Sequence, residues 1–312
     1  MNLFDLHCDT AYELYKKSQP LGSGTCHISL DRAARYGKYA QVMAVWSDKR
    51  IDDTAAYHQF HRIADNLLRE QDSERHRAAL CRTADDLHAA WEADRAALFL
   101  AVEDARLLGG EIDRLAVLAA RGVRFLTLTW GGKTCIGGSH DTDEGLTAFG
   151  RTVVEECFKL GIVPDISHGS DATMNETIAM AEAAGKPVIA THSNSRAVRD
   201  HRRNLTDTQF CAVRDLGGIV GISLCPPHLS AKDEPCGVDA VVRHIEHYLD
   251  LGGERTVCLG CDLDGTSLPD GFEGVQDLKK IAEALAVRGH SDKLIADICC
   301  GNAVRFVERN LK

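Results

Sequence analysis

Six side chains of the types that bind divalent metal ions each follow a short apolar run. The runs and the residues that end them are LFDL before His7 and Asp9, ALFLAV before Glu103, IVPDIS before His168, VIAT before His192, and VCLGC before Asp262. This mixture of imidazole and carboxylate groups suits zinc, and it also fits manganese, iron or cobalt. We therefore expect a metal centre built from residues far apart in the chain.

The charges of these residues favour two ions over one. Two divalent ions carry four positive charges, and Asp9, Glu103, Asp262 and a bridging hydroxide together carry four negative ones. Neutral imidazoles can then complete the coordination. Each residue alone has an ordinary alternative, such as a strand-end salt bridge for Glu103 or a barrel-rim position for either histidine. All these residues lie at predicted strand ends, and the ordinary alternatives would require each of them to be there by coincidence.

The elements that must position these residues repeat along the chain. We identify eight strand-like runs, separated by stretches with helical periodicity: 3–9, 41–47, 97–103, 124–130, 162–168, 188–193, 218–225 and 257–262. Short, mostly apolar strands are typical of a parallel sheet that is buried on both faces. Eight βα units favour a closed single-domain (β/α)8 TIM barrel over residues 1–312, rather than an open doubly wound sheet. Its catalytic groups would lie at the carboxyl ends of the strands.

Composition limits the function classes. The 312 residues are 44% hydrophobic and 26% charged, with a net charge of −10 and no long basic run. Nucleic acid is therefore not an expected partner. No basic leader or long apolar segment is visible, so we expect a cytoplasmic protein that does not contact a membrane. Its twelve cysteines are expected to be reduced in that compartment.

Several motifs together resemble the membrane (renal) dipeptidase family, peptidase M19, within the amidohydrolase superfamily. They are DLHCDT, the stretch from GVRFLTLTW to GLTAFG, DISH, THS with the following RRN, and GCDLDG. The resemblance implies that His7 and Asp9 bind one metal ion, that Glu103 bridges both ions, and that His168 and His192 bind the second. These five ligands agree with those from the strand-end argument.

The resemblance also implies roles for residues that do not bind metal. Asp262 would transfer a proton or orient the water, and Arg203 would hold the substrate carboxylate, which the planar guanidinium can bind with two hydrogen bonds. Arg202 next to it is not the matching position. Without the resemblance, Arg203 would be an exposed loop arginine and Asp262 could cap a turn with Asp264.

Three positions depart from the family pattern. Trp130 stands where many relatives have a histidine after LTLT, and it either walls the substrate pocket or packs in the barrel. His228 lies near a pocket tyrosine of relatives, so it either contacts substrate or is a surface loop histidine. Asp104 replaces a glycine and adds a negative charge beside Glu103.

The implied reaction is hydrolysis of small dipeptides, including L-Xaa-D-Xaa, by a hydroxide that bridges two metal ions, with zinc the expected metal. Two alternatives stay open. One is another amidohydrolase reaction, such as N-acyl amino acid deacylation or lactone opening. The other is a catalytically silent binding protein. A small dipeptide is the expected partner, and the sequence leaves open whether the chain forms a homodimer.

Overall fold

Parallel strands form the frame of the computed structural model, which describes residues 1–312. The strands are β1 (Leu3–Cys8), β2 (Tyr39–Trp46), β3 (Ala78–Cys81), β4 (Ala96–Glu103), β5 (Val123–Thr127), β6 (Val163–Asp165), β7 (Val220–Ile222) and β8 (Val257–Leu259). Their order in the sheet is β6-β5-β4-β2-β1-β8-β7, with β3 paired to β4 beside this path. Every strand pair is parallel.

Single-residue bridges close the sheet into a ring. One joins Asp165 to Ile189, and another joins Ala190 to Val220. Residues 188–191 therefore occupy the place between β6 and β7 that a closed barrel of eight requires. The predicted (β/α)8 barrel is confirmed.

Two details of the strand prediction are wrong. The run 188–193 forms only the two bridges and then turns at Thr191, so it is not a regular strand. The short strand β3 was not predicted, since AALC is flanked by arginines and shows no alternation of apolar and polar residues. It pairs only with the first half of β4.

Helices follow most strands and cover the ring. They are α1 (Thr10–Lys17), α2 (Leu30–Ala33), α3 (Asp53–Ser73), α4 (Ala84–Glu92), α5 (Asp113–Ala120), α6 (Ala148–Leu160), α7 (Asp171–Ala184), α8 (Asp207–Asp215), α9 (Pro226–Leu229), α10 (Val238–Asp250), α11 (Lys279–Val287), α12 (Asp292–Ala296) and α13 (Asn302–Asn310). Local signals set their ends: the Thr147 side chain caps the start of α6, and Gly161 ends it in the left-handed conformation. No helix has both the length and the apolar character needed to cross a membrane.

The alternation of side chains along β4 separates two cores. Leu98, Leu100 and Val102 belong to the larger buried cluster, whereas Phe99 belongs to the smaller one, where it stacks on Phe4 of β1 at 5.6 Å between ring centroids. Successive side chains on a strand point to opposite faces. Glu103 therefore continues the Phe99 side of β4, at the carboxyl end of the strand.

Candidate metal centre

Glu103 lies at the centre of the cluster of predicted ligands. Its carboxylate is buried, with Oε1 at 3.0 Å from His168 Nε2 and at 3.5 Å from His192 Nε2. Its other oxygen, Oε2, lies 3.6 Å from His7 Nε2. One carboxylate thus faces histidines on two sides, as a ligand shared between two ions would.

The structure brings all five predicted ligands together in two overlapping groups. The first is His7, Asp9 and Glu103, and the second is Glu103, His168 and His192. Within each group the potential ligand atoms all lie within 4.8 Å of one another. Asp262 also belongs here, because it forms a third such group with His7 and His192.

Local backbone features aim these side chains at one point. The register between β1 and β2 shifts between Asp5 and Cys8, and irregularities of this kind redirect a side chain near an active site. Strand β1 ends at Cys8, so Asp9 is the N-cap residue of α1 and not a strand residue. His168 and Asp262 have φ values of 69° and 57°, in a region that costs free energy for residues other than glycine.

The hydrogen bonds of the three histidines leave the same ring nitrogen free in each. Thr191 Oγ1 donates to Asp165 Oδ2 at 2.6 Å, so its lone pairs accept from His192 Nδ1 at 2.8 Å and His7 Nδ1 at 3.3 Å. His168 Nδ1 lies 3.2 Å from the Trp130 carbonyl oxygen. All three Nε2 atoms therefore point at Glu103, and each has a lone pair for a metal ion when its ring is neutral.

Unpaired buried atoms support the metal interpretation. His7 Nε2, Asp9 Oδ1 and Glu103 Oε2 are buried without a hydrogen-bond partner. Buried polar atoms without partners are costly, and a cation bound to them would remove that cost. The Nε2 atoms of His168 and His192 are 2.9 Å apart, near the value of about 3.4 Å that tetrahedral geometry gives for two imidazoles on one zinc ion. The donor set fits the metals that the sequence predicts.

The protonation states differ across the centre. Burial lowers the pKa of His168 to about 4, with help from the nearby Arg203 charge, and it also lowers the pKa of His192. Although burial also opposes protonation of His7, the charge of Glu103 raises its pKa to about 10. His7 must lose this proton when it binds a metal ion.

Asp262 and Asp104, two further acidic residues near Glu103, have different surroundings. Burial raises the pKa of Asp262 to about 7, and its side chain lines the cavity above the cluster. Burial likewise raises the pKa of Asp104 to about 7, but its carboxylate turns to Arg106, with Oδ2 at 3.2 Å from Nε. The arginine offsets the extra negative charge beside Glu103.

A cavity of about 410 Å³ opens above the metal ligands. Trp130 and His228, both predicted to contact substrate, line it together with Glu103, His168 and Asp262. His228 is therefore not a surface loop histidine.

Arg203 lies behind the residues that line this cavity and is not itself exposed to the cavity. It is only 1% exposed, donates to Ser193 Oγ and to the His192 carbonyl oxygen, each at 3.0 Å, and leaves Nε without a partner. No carboxylate forms a salt bridge with it. A buried guanidinium without a paired anion is costly, so this position favours an anionic ligand. Arg202, by contrast, is half exposed and pairs with Asp143.

Three residues that shape the centre are absent from the sequence-based prediction of the site. Thr191 and Asp165 orient the histidines, and both are polar residues within otherwise apolar runs, a signal that could have identified them. Gly265 is the third, because a Cβ at this position would lie 2.1 Å from Asp9 Oδ2 and 2.2 Å from Asp262 Oδ1. The sequence feature that could have identified it is a glycine, which has no side chain, directly after Asp262 and Asp264 in DLDG.

Comparisons with known proteins identify the family of this chain. The sequence model of the membrane dipeptidase family, peptidase family M19, matches residues 1–311. An uncharacterised protein from the pqqA 5′ region of Klebsiella pneumoniae is 34% identical over 232 residues, which cover 71% of this chain and 84% of that protein. An uncharacterised dipeptidase of Schizosaccharomyces pombe is 31% identical over 213 residues, covering 66% of this chain and 51% of the yeast protein.

Two crystal structures are similar over nearly the whole chain. One is the M19 metallopeptidase dipeptidase AC, with a TM-score of 0.92 and 28% identity, and the match covers 100% of this chain and 99% of that one. The other is a metallopeptidase of Rhodobacter sphaeroides bound to a phosphinate mimic of the dipeptide L-Ala-D-Ala, with a TM-score of 0.91 and 27% identity, and it covers 99% of both chains.

Proposed function

Because the chain belongs to the membrane dipeptidase family, peptidase family M19, and is a metallo-dipeptidase, we propose that it hydrolyses small dipeptides at a centre of two divalent metal ions. Glu103 carries this proposal. Its two oxygens face different histidines, His168 on one side and His7 on the other, which supports a carboxylate shared by two ions.

The chain supplies a separate ligand set for each ion. His7 and Asp9 with Glu103 would hold one ion, and His168 and His192 with Glu103 would hold the other. When bound, such a pair lowers the pKa of a shared water so that hydroxide is available near neutral pH, and it polarises the scissile carbonyl. We propose zinc as the metal, and manganese, iron or cobalt would also fit this donor set.

Asp262 is suited to move the proton in this reaction. Its carboxylate lines the cavity, Oδ1 lies 3.9 Å from His7 Nε2, and burial raises its pKa to about 7. A group with a pKa near the working pH can both accept a proton and return it. We propose that Asp262 takes the proton of the attacking water and delivers it to the leaving amine.

Arg203 is the proposed partner of the substrate carboxylate. Its buried, unpaired Nε favours an anion beside the second ligand set, and a substrate carboxylate would reach it by displacing the side chains that separate Arg203 from the cavity. Binding there would place the C-terminal residue of a dipeptide near His168 and His228, with the scissile carbonyl over Glu103. The L-Ala-D-Ala mimic bound to the Rhodobacter sphaeroides enzyme supports L-Xaa-D-Xaa substrates for this chain.

A dipeptide library that varies stereochemistry at both positions tests the proposal, assayed with zinc, manganese and cobalt. Release of two amino acids, with two metal ions bound per chain, is the expected result. Activity only on N-acyl amino acids would point to a deacylase instead, and metal uptake below one ion per chain would contradict the two-metal centre. His192→Ala should abolish hydrolysis while the circular dichroism spectrum is unchanged.

Cytoplasmic residence and a homodimer are separate proposals. Cell fractionation with an antibody and light scattering of the purified protein would test them.

A further inference from the structure

Three aromatic side chains form one side of the cavity above the metal ligands. Tyr12, Trp46 and Trp130 all line it and all are partly exposed there. Trp46 meets Tyr12 edge to face at 5.1 Å between ring centroids and meets Trp130 in the same manner at 5.2 Å. Edge-to-face contacts of this kind hold rings in defined positions. We call these three residues the aromatic wall.

The strand register places this wall beside the bridging ligand. Trp46, the last residue of β2, is the register partner of Glu103 at the end of β4. Paired residues on neighbouring strands direct their side chains to the same face of the sheet. Tyr12 lies three residues after Asp9, in the first turn of α1. Tyr12 and Trp46 therefore lie on the β1 and β2 side of the cavity, whereas Trp130 reaches His168, whose ring centroid is 6.1 Å from that of Trp130.

The segment that leads to His192 and Arg203 lies between β6 and β7, across the ring from β1 and β2. His168 and His228 line the cavity, and the buried Arg203 lies close enough to affect the charge of both. A dipeptide whose carboxylate is held at Arg203 and whose scissile carbonyl lies over Glu103 must extend its N-terminal residue towards Tyr12 and Trp46 of the wall. This orientation rests on the proposed function.

The charges around the wall do not favour a cationic side chain. Lys16 already lies over the Tyr12 ring, with Nζ at 5.4 Å from its centroid, and Lys49 lies over Trp130 at 5.9 Å. The lining carboxylates outside the proposed metal centre are also taken, because Glu13 pairs with Lys16 and Lys17, and Asp48 pairs with Arg50. Asp264 accepts from Thr10 Oγ1 at 2.6 Å and from the His27 backbone N–H at 2.8 Å. A cationic substrate would meet resident cations and find no free carboxylate.

We infer that the aromatic wall is the subsite for the N-terminal side chain of the substrate and that it selects large neutral residues, aromatic ones above all. A small side chain such as that of alanine would leave the three rings in contact with water. An aromatic side chain would bury its own surface against them and add ring contacts. Trp46, which touches both other rings, is the residue that sets this preference.

Steady-state kinetics on matched dipeptides tests the inference. The substrates are L-Phe-D-Ala, L-Ala-D-Ala and L-Lys-D-Ala. If the wild-type enzyme cleaves only L,L-dipeptides, the same three substrates are used with L-Ala in place of D-Ala. We expect kcat/KM for the phenylalanine substrate to exceed that for the alanine and lysine substrates by about tenfold, the size of effect typical of a hydrophobic pocket. Trp46→Ala should bring the phenylalanine-to-alanine ratio close to one, and Trp46→Phe should restore most of it.

Trp91→Phe is the matched control. Trp91 belongs to α4, where its Nε1 donates to the Tyr39 carbonyl oxygen at 2.9 Å, away from the cavity, so this change should leave the ratio at the wild-type value. Equal kcat/KM values for all three substrates, a preference for lysine, or an unchanged ratio in Trp46→Ala would overturn the inference but not the dipeptidase function. Failure to cleave any dipeptide would overturn both.

Discussion

Each histidine of the metal centre uses its two ring nitrogens for different purposes. In His7 and His192 the Nδ1 atoms share one acceptor, Thr191 Oγ1, while the Nε2 atoms face Glu103. Asp165 fixes the direction of the hydroxyl by accepting its hydrogen. One hydroxyl thus sets the tautomer of a histidine in each of the two proposed ligand sets.

Thr191→Val removes this hydroxyl and keeps the shape of the side chain. We expect metal affinity to fall by roughly 10-fold to 100-fold, as is typical when groups that orient metal ligands are lost. Isothermal titration of the metal-free protein with zinc measures the change. Thr152→Val, which alters an exposed hydroxyl on α6, is the control and should bind zinc normally. Equal affinities in the two variants would show that the hydroxyl does not orient the ligands.

Gly265 lies where a side chain would meet two carboxylates of the site. A methyl group there would displace the carboxylates of Asp9 and Asp262, whose oxygens lie within 2.2 Å of its position. Because misplacement by about 1 Å can cost on the order of 100-fold in rate, we expect Gly265→Ala to lower kcat/KM by at least that factor. Gly237→Ala, where a Cβ would come no closer than 3.4 Å to another residue, should have near-normal kinetics. If both variants were equally active, the two carboxylates could not be held as tightly as the structure shows.

The sequence was informative about ligands and less so about the residues that orient them. His7, Glu103 and His192 could be found because each ends an apolar run, where a metal ligand stands out. The hydrogen bonds of Thr191 depend on the contact between β6 and the 188–191 segment, which no local pattern encodes. The burial of Arg203 behind the cavity lining could not be predicted from a local pattern either, because only the folded chain shows which side chains cover it.

Among the elements of the barrel, the least regular is segment 188–191, which directly precedes His192. A Cβ at Gly260 would lie 1.7 Å from the Thr191 carbonyl oxygen, and one at Gly221 would lie 2.0 Å from it. These glycines let the chain turn inward at Thr191, directly before the ligand. Apolar content predicted a strand here, but the close approach to two glycines from distant parts of the chain could not be predicted from it.

Helix α10 supports the loop that follows His192 through a buried histidine. His244 Nδ1 accepts from the Ser195 backbone N–H at 3.0 Å, and Nε2 donates to the Leu229 carbonyl oxygen at 3.0 Å. Both contacts require the neutral ring. Burial lowers the pKa of His244 to about 4, below its ordinary value of 6.5.

This shift predicts how stability depends on pH. Between pH 6.5 and pH 4 the unfolded state binds the His244 proton and the folded state does not, so stability falls as the pH falls through this window. At pH 5 the loss from this residue is about 2 kcal/mol relative to pH 7. Urea unfolding at both pH values measures it, with His244→Gln as the comparison because glutamine cannot ionise. The variant should lose correspondingly less stability between pH 7 and pH 5 than the wild type does, and parallel losses would contradict the assignment.

The proposed metal centre joins parts of the barrel that are distant in sequence. The predicted ligands come from β1 and the start of α1, from β4, from the turn after β6, and from the segment before β7. Without metal, this point concentrates the carboxylates of Asp9, Glu103 and Asp262, and burial raises the pKa of Asp9 well above its ordinary value. Metal binding should therefore stabilise the entire barrel and not only the cavity.

Thermal unfolding with and without metal tests this coupling. A ligand that binds only the folded state adds about 4 kcal/mol of stability per site when its free concentration is 1,000 times Kd. For a chain of this size, that corresponds to a rise in Tm on the order of 10 °C between chelator-treated and zinc-loaded protein. His192→Ala, which removes a ligand of one ion, should show a clearly smaller rise. A wild-type Tm that is the same in chelator and in zinc would mean that the ligands are held in place by packing alone, and that the buried carboxylates at the ends of β1 and β4 need no cation.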